Sequence, residues 1–324
     1  MKYVIGIDGG GTKTHGLLAD ENGVILASSE RGPTNPNVIH RTVLSKTLGH
    51  LLQDLKQQVN DLFDQKTYIF AGIAGAGEAS NQQEFKQILI ELLPDTVYVD
   101  VYPDSINALY SGTFGEPGIV QISGTGSITY GINNELKHGR VGGWGYLFGD
   151  EGSGFDLGKQ GITASLKAYD GRDRDTLLLE MLYNQFHVTS GHELIREIYS
   201  APMPKDKIAP VSQVVFQAYK QNDRVAQAIV ENTVNELKVN ILTLYKKLFH
   251  HNERAKLVLC GGVFTDKTIL PTLIEKELAD HPLSVVIPEV PPAGGSLIGA
   301  YLSMNRHIDE ELIENIKEIY RKSR

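Results

Sequence analysis

The sequence has little of what several classes of protein require. It holds a single cysteine, Cys260, which excludes an internal disulfide and leaves no cysteine set for a metal cage. Acidic residues outnumber basic ones, 39 to 31, so the positive surface typical of nucleic-acid binding is absent. The longest uncharged run, residues 117–134, is rich in Gly, Ser, Thr and Asn and therefore predicts no membrane span.

The first residues also lack the apolar run of a signal peptide. We therefore expect a cytoplasmic protein with neither nucleic-acid nor membrane partners. The 324 residues are 41% hydrophobic and 22% charged, which is enough to bury a large core in one large domain or two.

Glycine is abundant and unevenly placed. Of the 33 glycines, 26 lie within residues 1–161, whereas residues 162–260 contain only Gly171 and Gly191. Glycine permits backbone angles and close approaches that other residues do not. The first half is thus expected to be rich in tight turns, and the later stretch to be helical.

The hydrophobic pattern predicts an α/β fold that contains an internal repeat. The first part predicts strands at 3–7, 14–19 and 24–29, a helix at 41–63, a strand at 67–74, a helix at 81–93, a strand at 96–101 and a helix at 104–114. The strand–turn–strand pattern then restarts, with strands at 118–123, 127–132 and near 135–141. We interpret this restart as a duplicated β-β-β unit with a domain boundary near 114–117.

The remainder predicts a helical insertion followed by the end of the second copy. Residues 153–250 predict several helices, the longest at 224–249; a strand at 256–260, a helix at 268–279, a strand at 284–287 and helices at 294–304 and 309–321 follow.

The segment Asp8-Gly9-Gly10-Gly11-Thr12-Lys13-Thr14 is the first candidate site. Its glycines let backbone N–H groups approach phosphate oxygens, while Thr12, Lys13 and Thr14 supply hydrogen bonds and charge. Asp8 is a candidate magnesium ligand. The lysine is misplaced for a Walker A loop. The alternative is a plain hairpin turn.

Two later glycine segments follow strands in the second copy. Gly124, Thr125 and Gly126 stand where the repeat places the equivalent of the first segment, and the pair could grip a polyphosphate from both sides. Gly261 and Gly262 follow an apolar strand, where they would let a flat ring pass close to the backbone; plain helix–strand packing is the alternative.

These segments, their order and Gly294-Gly295-Ser296 resemble the actin, sugar kinase and heat-shock-70 superfamily. The opening at Asp8 is typical of its BadF/BadG/BcrA/BcrD ATPase group. The block 142–153, Gly-Gly-Trp-Gly-Tyr-Leu-Phe-Gly-Asp-Glu-Gly-Ser, is similar to the N-acetylglucosamine kinases of that group.

The resemblance implies a duplicated ribonuclease H-like, actin-like ATPase fold with the active site in the cleft between two domains. We expect an N-terminal domain of residues 1–115 joined by the C-terminal helix 308–324, and a C-terminal domain of residues 116–307. Closure of the two domains over ATP and the sugar would exclude water from the active site. The resemblance also implies ATP and Mg²⁺ as cofactors and a homodimer.

The resemblance assigns the site residues of the family to matching positions in this sequence. The metal ion would be held by Asp8. ATP would contact Gly10, Gly11, Thr12, Lys13, Gly124, Thr125, Gly126, Gly261 and Gly262. The sugar would contact Asn35, Gly75, Asp104, Gly143, Trp144 and Asp150. Asn37 replaces an aromatic residue of the animal enzyme. The usual Gly-Asp of a segment bordering adenine appears as Asn222-Asp223.

Several of these residues have a purely structural alternative. Asp104 matches the catalytic base of the family, but it could also cap the helix that follows it. Trp144 could simply pack in the core, and Gly75 could simply form a strand-to-helix turn. Glu151 is interpreted as supporting structure, because neighbours in sequence rarely face one site.

The predicted activity is ATP-dependent phosphorylation of the 6-hydroxyl of N-acetylglucosamine or a related amino sugar, such as N-acetylmuramate or glucosamine. One alternative is an ATPase activator of a radical dehydratase, which would use two cysteines per subunit. Another is a non-catalytic sugar sensor, for which we would expect loss of Asp104 or an added DNA-binding segment.

Overall fold

A computed structural model describes residues 2–36, 39–59 and 62–322. Among these residues the strands are β1 (Tyr3–Gly9), β2 (Thr14–Asp20), β3 (Ile25–Arg31), β4 (Thr67–Ile73), β5 (Val97–Pro103), β6 (Gly118–Ser123), β7 (Ser127–Ile132), β8 (His138–Gly142), β9 (Ala255–Cys260) and β10 (Leu283–Val286). The helices of the same ranges are α1 (Arg41–Gln58), α2 (Ala79–Glu91), α3 (Asp104–Thr113), α4 (Gly154–Tyr169), α5 (Leu177–Phe186), α6 (Gly191–Tyr199), α7 (Pro204–Ile208), α8 (Ser212–Lys220), α9 (Arg224–Leu248), α10 (Leu270–Glu277), α11 (Pro292–Ser303) and α12 (Glu310–Lys322).

The chain forms two compact units. The first contains residues 1–118 and 286–324, and the second contains residues 119–285. Each unit has a five-stranded sheet, ordered β3-β2-β1-β4-β5 in the first and β10-β9-β6-β7-β8 in the second. Read from β8 to β10, the second order repeats the first strand for strand, which confirms the predicted duplication.

In the first unit, β1 is the central strand and is buried on both faces. It pairs antiparallel with β2 and parallel with β4. Ile5 and Ile7 belong to a core cluster that includes residues of α1 and α2. On the other face, a Cβ on Gly6 would lie 2.5 Å from the backbone nitrogen of Leu297, so α11 touches the strand directly.

Helix α11 lies in the first unit, whereas the sequence predicted it in the second domain. The physical reason is its small residues, which let its backbone approach other main-chain atoms. A Cβ on Gly295 would lie 2.0 Å from the carbonyl oxygen of Asn107 in α3, and a Cβ on Gly299 would lie 2.6 Å from the ring of Phe70. Strand order and hydrophobicity alone do not reveal such a match.

In the second unit, helices α4 to α9 are inserted between β8 and β9. The longest of them, α9, packs on β7 and β8. Strand β8 begins three residues later than predicted, because the side chain of Asn133 organises the preceding turn by accepting hydrogen bonds from the backbone N–H groups of Glu135 and Lys137. No helix of the described ranges has the length and apolar character that a membrane crossing requires.

Candidate active site

The predicted phosphate segment of the first unit is the tip of the β1–β2 hairpin. The ladder ends at the pair Gly9 and Thr14, and the N–H of Gly10 donates to the carbonyl of Lys13 at 2.9 Å. Beneath the tip, the buried hydroxyl of Thr14 donates to the carbonyl of Gly32 at 2.8 Å and lies 2.9 Å from the hydroxyl of Thr34. The turn is thus fixed from below while residues 11–13 are exposed.

Lys13 forms an ion pair with Glu30, with 2.8 Å between Nζ and Oε2. Both side chains are more than half exposed, and such pairs contribute little to stability. The ammonium can therefore exchange this partner for a phosphate oxygen at small cost.

Asp8 is the second-last residue of β1 and pairs with His15, next to the tip of the hairpin. Its Oδ1 accepts a hydrogen bond of 2.8 Å from the side-chain amide of Asn107 in α3. Burial raises the pKa of Asp8 to about 6; the amide of Asn107 acts against this rise, and the negative charge of Asp104 adds to it. The carboxylate of Asp104 is therefore close enough to raise the pKa of Asp8.

Asp104 is the first residue of α3. The capping position is Pro103, so Asp104 is not the N-cap residue, although its carboxylate binds N–H groups of the first turn. The carboxylate accepts a hydrogen bond from the backbone N–H of Ser105, and burial raises its pKa to about 6. A partly desolvated carboxylate with such a pKa is ionised at neutral pH and suited to accept a proton.

The structure brings Asn35 and Gly75 together beside the same hairpin. Gly75 has a φ of 88°, and a Cβ there would lie 3.1 Å from Oδ1 of Asn35 and 2.9 Å from Cδ of Pro36. A Cβ on Gly11 would lie 4.0 Å from Nδ2 of Asn35. Glycine is therefore required at position 75, both for the positive φ and because a side chain would collide with Asn35 and Pro36. Asn37 lies outside the described residues.

In the second unit, the three predicted phosphate residues form the β6–β7 hairpin turn. The N–H of Gly124 donates to the carbonyl of Gly126 at 2.9 Å, and the N–H of Gly154, the first residue of α4, donates to the carbonyl of Gly124 at 2.8 Å. Gly261 lies against this hairpin with a φ of 112°, where a Cβ would be 2.3 Å from the carbonyl oxygen of Ser123. The residues predicted to bind ATP in this unit are therefore neighbours, and no atom of the described residues lies within 4 Å of a Cβ on Gly262.

Asp150 is buried under the same hairpin, with a φ of 62°. A Cβ on Gly126 would lie 2.9 Å from its Oδ2. Burial raises the pKa of Asp150, while hydrogen bonds from the backbone N–H groups of Ser127 and Gly145 lower it. The carboxylate therefore ties the phosphate hairpin to the glycine–tryptophan block.

Trp144 is not a core residue, so the core-packing alternative is wrong. Its side chain is 68% exposed, and the guanidinium carbon of Arg140 lies 4.2 Å from the centre of its ring. Nη1 of Arg140 also donates to the carbonyls of Gly142 and Gly143 at 3.3 Å. The ring of Trp144 therefore lies at the surface of the second unit, stacked with the cation of Arg140.

The Asn222-Asp223 segment has a structural explanation. Asn222 has a φ of 61°, an angle that glycine adopts freely and asparagine tolerates. The buried carboxylate of Asp223 caps α9 through the N–H of Ala226 at 2.8 Å and accepts the N–H of Leu177 at 2.9 Å. The pair therefore joins α5 to α9, as Gly-Asp could do.

Sequence reasoning missed Asn107. The available signal was an amide three residues after Asp104 on the buried face of a short helix, between apolar residues. Its importance depends on β1 and β4, which the sequence places far away.

The two repeated sheets with a glycine hairpin at the end of each first strand define an actin-like ATPase fold. The model of the BadF/BadG/BcrA/BcrD ATPase family matches residues 5–300, and the chain belongs to this family.

Two curated relatives match most of the chain. It is 34% identical over 269 residues to an N-acetylmuramic acid/N-acetylglucosamine kinase of Clostridium acetobutylicum, covering 82% of this chain and 87% of that protein. It is 31% identical over 287 residues to an N-acetyl-D-glucosamine kinase of Dictyostelium discoideum, covering 86% of this chain and 90% of that protein. Among solved structures, a candidate N-acetylglucosamine kinase of Chromobacterium violaceum has a TM-score of 0.73 at 24% identity over 92% of this chain and 98% of that one.

Proposed function

We propose that this protein is an ATP-dependent amino-sugar kinase. The observation that carries the proposal is the match, at 34% identity over 82% of the chain, to a kinase of N-acetylmuramic acid and N-acetylglucosamine. The carboxylates of Asp8 and Asp104 and the two glycine hairpins support it, because phosphoryl transfer depends on positioning and on charge stabilisation.

Asp104 is the proposed base. It accepts the proton of the sugar 6-hydroxyl while the hydroxyl oxygen bonds to the γ-phosphorus and the bond to the bridging oxygen of ADP breaks. The products are the sugar 6-phosphate and ADP, and the proton on Asp104 returns to solvent. The pKa of about 6 keeps the base ionised at neutral pH.

The hairpins at Gly10–Lys13 and Gly124–Gly126 would bind the phosphates of ATP through backbone N–H groups, with Gly261 and Gly262 beside the adenosine. Asn35, Gly75, Gly143, Trp144 and Asp150, together with Asp104, would bind the sugar. Polar contacts of this kind discriminate strongly between sugars, because an unmatched buried group is costly.

Asp8 is the residue that fits a magnesium ion. No cluster of three or more His, Cys, Asp or Glu is present in the described part of the chain, so a site built wholly from protein ligands is not formed there. Magnesium is commonly held by one or two carboxylates together with substrate phosphates, and one carboxylate suits that arrangement. When bound, the ion would offset charge on the transferring phosphoryl group.

The test is an assay of ATP consumption with the purified protein and Mg²⁺. Glucosamine, N-acetylglucosamine, N-acetylmuramate, N-acetylmannosamine and glucose would be compared at equal concentration. Turnover that depends on an amino sugar supports the proposal, and mass spectrometry of the product locates the phosphate. Absence of turnover with every sugar would contradict it.

We also propose that the protein is cytoplasmic, as its sequence leads us to expect, and that it works as a homodimer, which rests on the family resemblance alone. Light scattering on the purified protein measures the dimer directly.

A further inference from the structure

Asn107 in α3 contacts the side chain of Asp8, the proposed metal residue, and main-chain atoms of two strands. Its side chain is fully buried, and Nδ2 lies 2.8 Å from Oδ1 of Asp8, 3.0 Å from the carbonyl oxygen of Gly72 and 3.2 Å from that of Ile7. All three partners are acceptors. The amide therefore joins α3 to β1 and β4 beside Asp8, the second-last residue of β1.

The chain makes room for this side chain with glycines. A Cβ on Gly72 would lie 2.2 Å from Oδ1 of Asn107, and a Cβ on Gly295 would lie 2.0 Å from the carbonyl oxygen of the same residue. Both distances are shorter than atoms tolerate, so β4 and α11 approach closely only because these positions lack a side chain.

Packing alone does not explain an asparagine at this position. Its Oδ1 is buried and accepts no hydrogen bond from the described residues. A buried acceptor without a donor costs about 1–3 kcal/mol, which an apolar residue of similar size would avoid. The amide donor facing Asp8 is the part of the side chain that an apolar residue could not replace.

We propose that Asn107 is a positioning residue that orients the Asp8 carboxylate for the magnesium ion of the Mg·ATP substrate. The inference rests on the proposed kinase function, in which Asp8 is the metal residue. The terminal torsion of an aspartate is broad, so a carboxylate without a partner samples many orientations. A hydrogen bond to Oδ1 restricts that torsion, and no hydrogen bond from the described residues to Oδ2 competes with a ligand there.

This arrangement is costly to lose because magnesium demands near-ideal geometry. Removing the partner that orients a metal-binding side chain typically lowers metal affinity by about 10–100-fold. The same change need not affect contacts between the nucleotide and the hairpin N–H groups.

The test compares two variants with one control by calorimetric titration of a non-hydrolysable ATP analogue, with and without Mg²⁺. Asn107→Asp is nearly isosteric and replaces the donor with an acceptor, and Asn107→Ala removes it without adding charge. Asn133→Asp is the matched control: Asn133 is also buried, and its Nδ2 donates to the carbonyl of Leu248 at 3.0 Å in the second unit. Thermal melts followed by circular dichroism report folding.

In both Asn107 variants, the increase in nucleotide affinity that Mg²⁺ causes is expected to be about 10–100-fold smaller than in the wild type. Their metal-free affinity should stay at the wild-type value, and Asn133→Asp should keep the wild-type response to Mg²⁺.

Three results would overturn the inference: a wild-type response to Mg²⁺ in both variants, an equal loss with and without Mg²⁺, or failure of both to fold. A wild-type protein that binds no nucleotide would contradict the proposed kinase function instead.

Discussion

Asp8 and Asp104 have similar pKa values near 6 for the same main reason, the loss of hydration on burial. Their contacts differ. Asp8 is held by a side-chain amide from another element, whereas Asp104 accepts a backbone N–H of its own helix. A carboxylate held only by its own helix turn is free to accept a proton from a substrate, which favours Asp104 as the base.

Replacing Asp104 tests its role. We expect Asp104→Asn to lower kcat by about 10²–10⁴-fold, because an amide cannot accept the hydroxyl proton. Binding of the ATP analogue, measured by calorimetry, should be unchanged.

Asp100→Asn is the control for Asp104, since Asp100 lies on β5, the strand that leads into α3, and forms a surface ion pair with Lys86. If Asp104→Asn retained wild-type kcat, Asp104 would lose its assignment as the base.

The pKa of Asp104 also predicts a pH profile. The base must be ionised, so kcat/KM should be level above about pH 7 and fall at least tenfold per pH unit below the pKa of about 6, since Asp8 has a similar pKa and loses its charge in the same range. Folding stability responds in the opposite direction. Because the folded state holds the proton more tightly than the unfolded chain, the contribution of Asp104 to the free energy of unfolding decreases as pH rises from about 4 to about 6. A profile that stays level down to about pH 5 would contradict the assignment.

At the scale of elements, the hairpin tips and the helix contacts use glycine for different reasons. In the β1–β2 and β6–β7 turns, glycines form tight turns that main-chain hydrogen bonds close, from Gly10 to Lys13 and from Gly124 to Gly126. By contrast, Gly6 of β1 and Gly295 of α11 let the helix touch β1 and α3 through main-chain atoms. The second use fixes the position of Asn107, and so links the packing of α11 to the Asp8 carboxylate.

Two glycine-to-alanine changes in helices should have opposite effects. Gly295→Ala would place a Cβ 2.0 Å from the carbonyl oxygen of Asn107, so we expect destabilisation of about 1–3 kcal/mol or more. Among the described residues, a Cβ from Gly49→Ala in α1 would meet Leu92 alone, at an ordinary 3.6 Å. The change should therefore stabilise the fold by about 0.5–1 kcal/mol, because glycine is a poor helix former. Urea unfolding measures both, and equal effects of the two changes would contradict this account of α11.

For the whole molecule, the sequence predicted the duplication from a restarted strand pattern, and the order of strands confirms it. It also predicted the bounds of most elements within a few residues, since the buried face of each strand or helix leaves a period in the sequence. The helix 292–303 was harder to place, because nine of its twelve residues are buried and its hydrophobicity has no preferred side.

The site could be predicted where function depends on a local motif. The glycine hairpins, Asp8 and Asp104 stand next to strand ends, and a strand end can be read from the sequence. Their use by ATP, sugar and magnesium remains a prediction. Trp144 and Asn222 were ambiguous, because exposure and backbone angle are set by neighbours distant in the chain.

The sequence by itself determined the family, the repeated strand–hairpin–strand units and the candidate phosphate residues, because these depend on residues close together in the chain. Only the tertiary structure decided that Asn107 holds Asp8, that Trp144 is exposed beside Arg140 and that α11 belongs to the first unit. Those facts depend on contacts between segments far apart in the sequence, and such contacts leave no period and no motif. The single cysteine and the shortage of basic charge excluded classes of protein, but the packing around each hairpin positions the candidate site residues of its own unit.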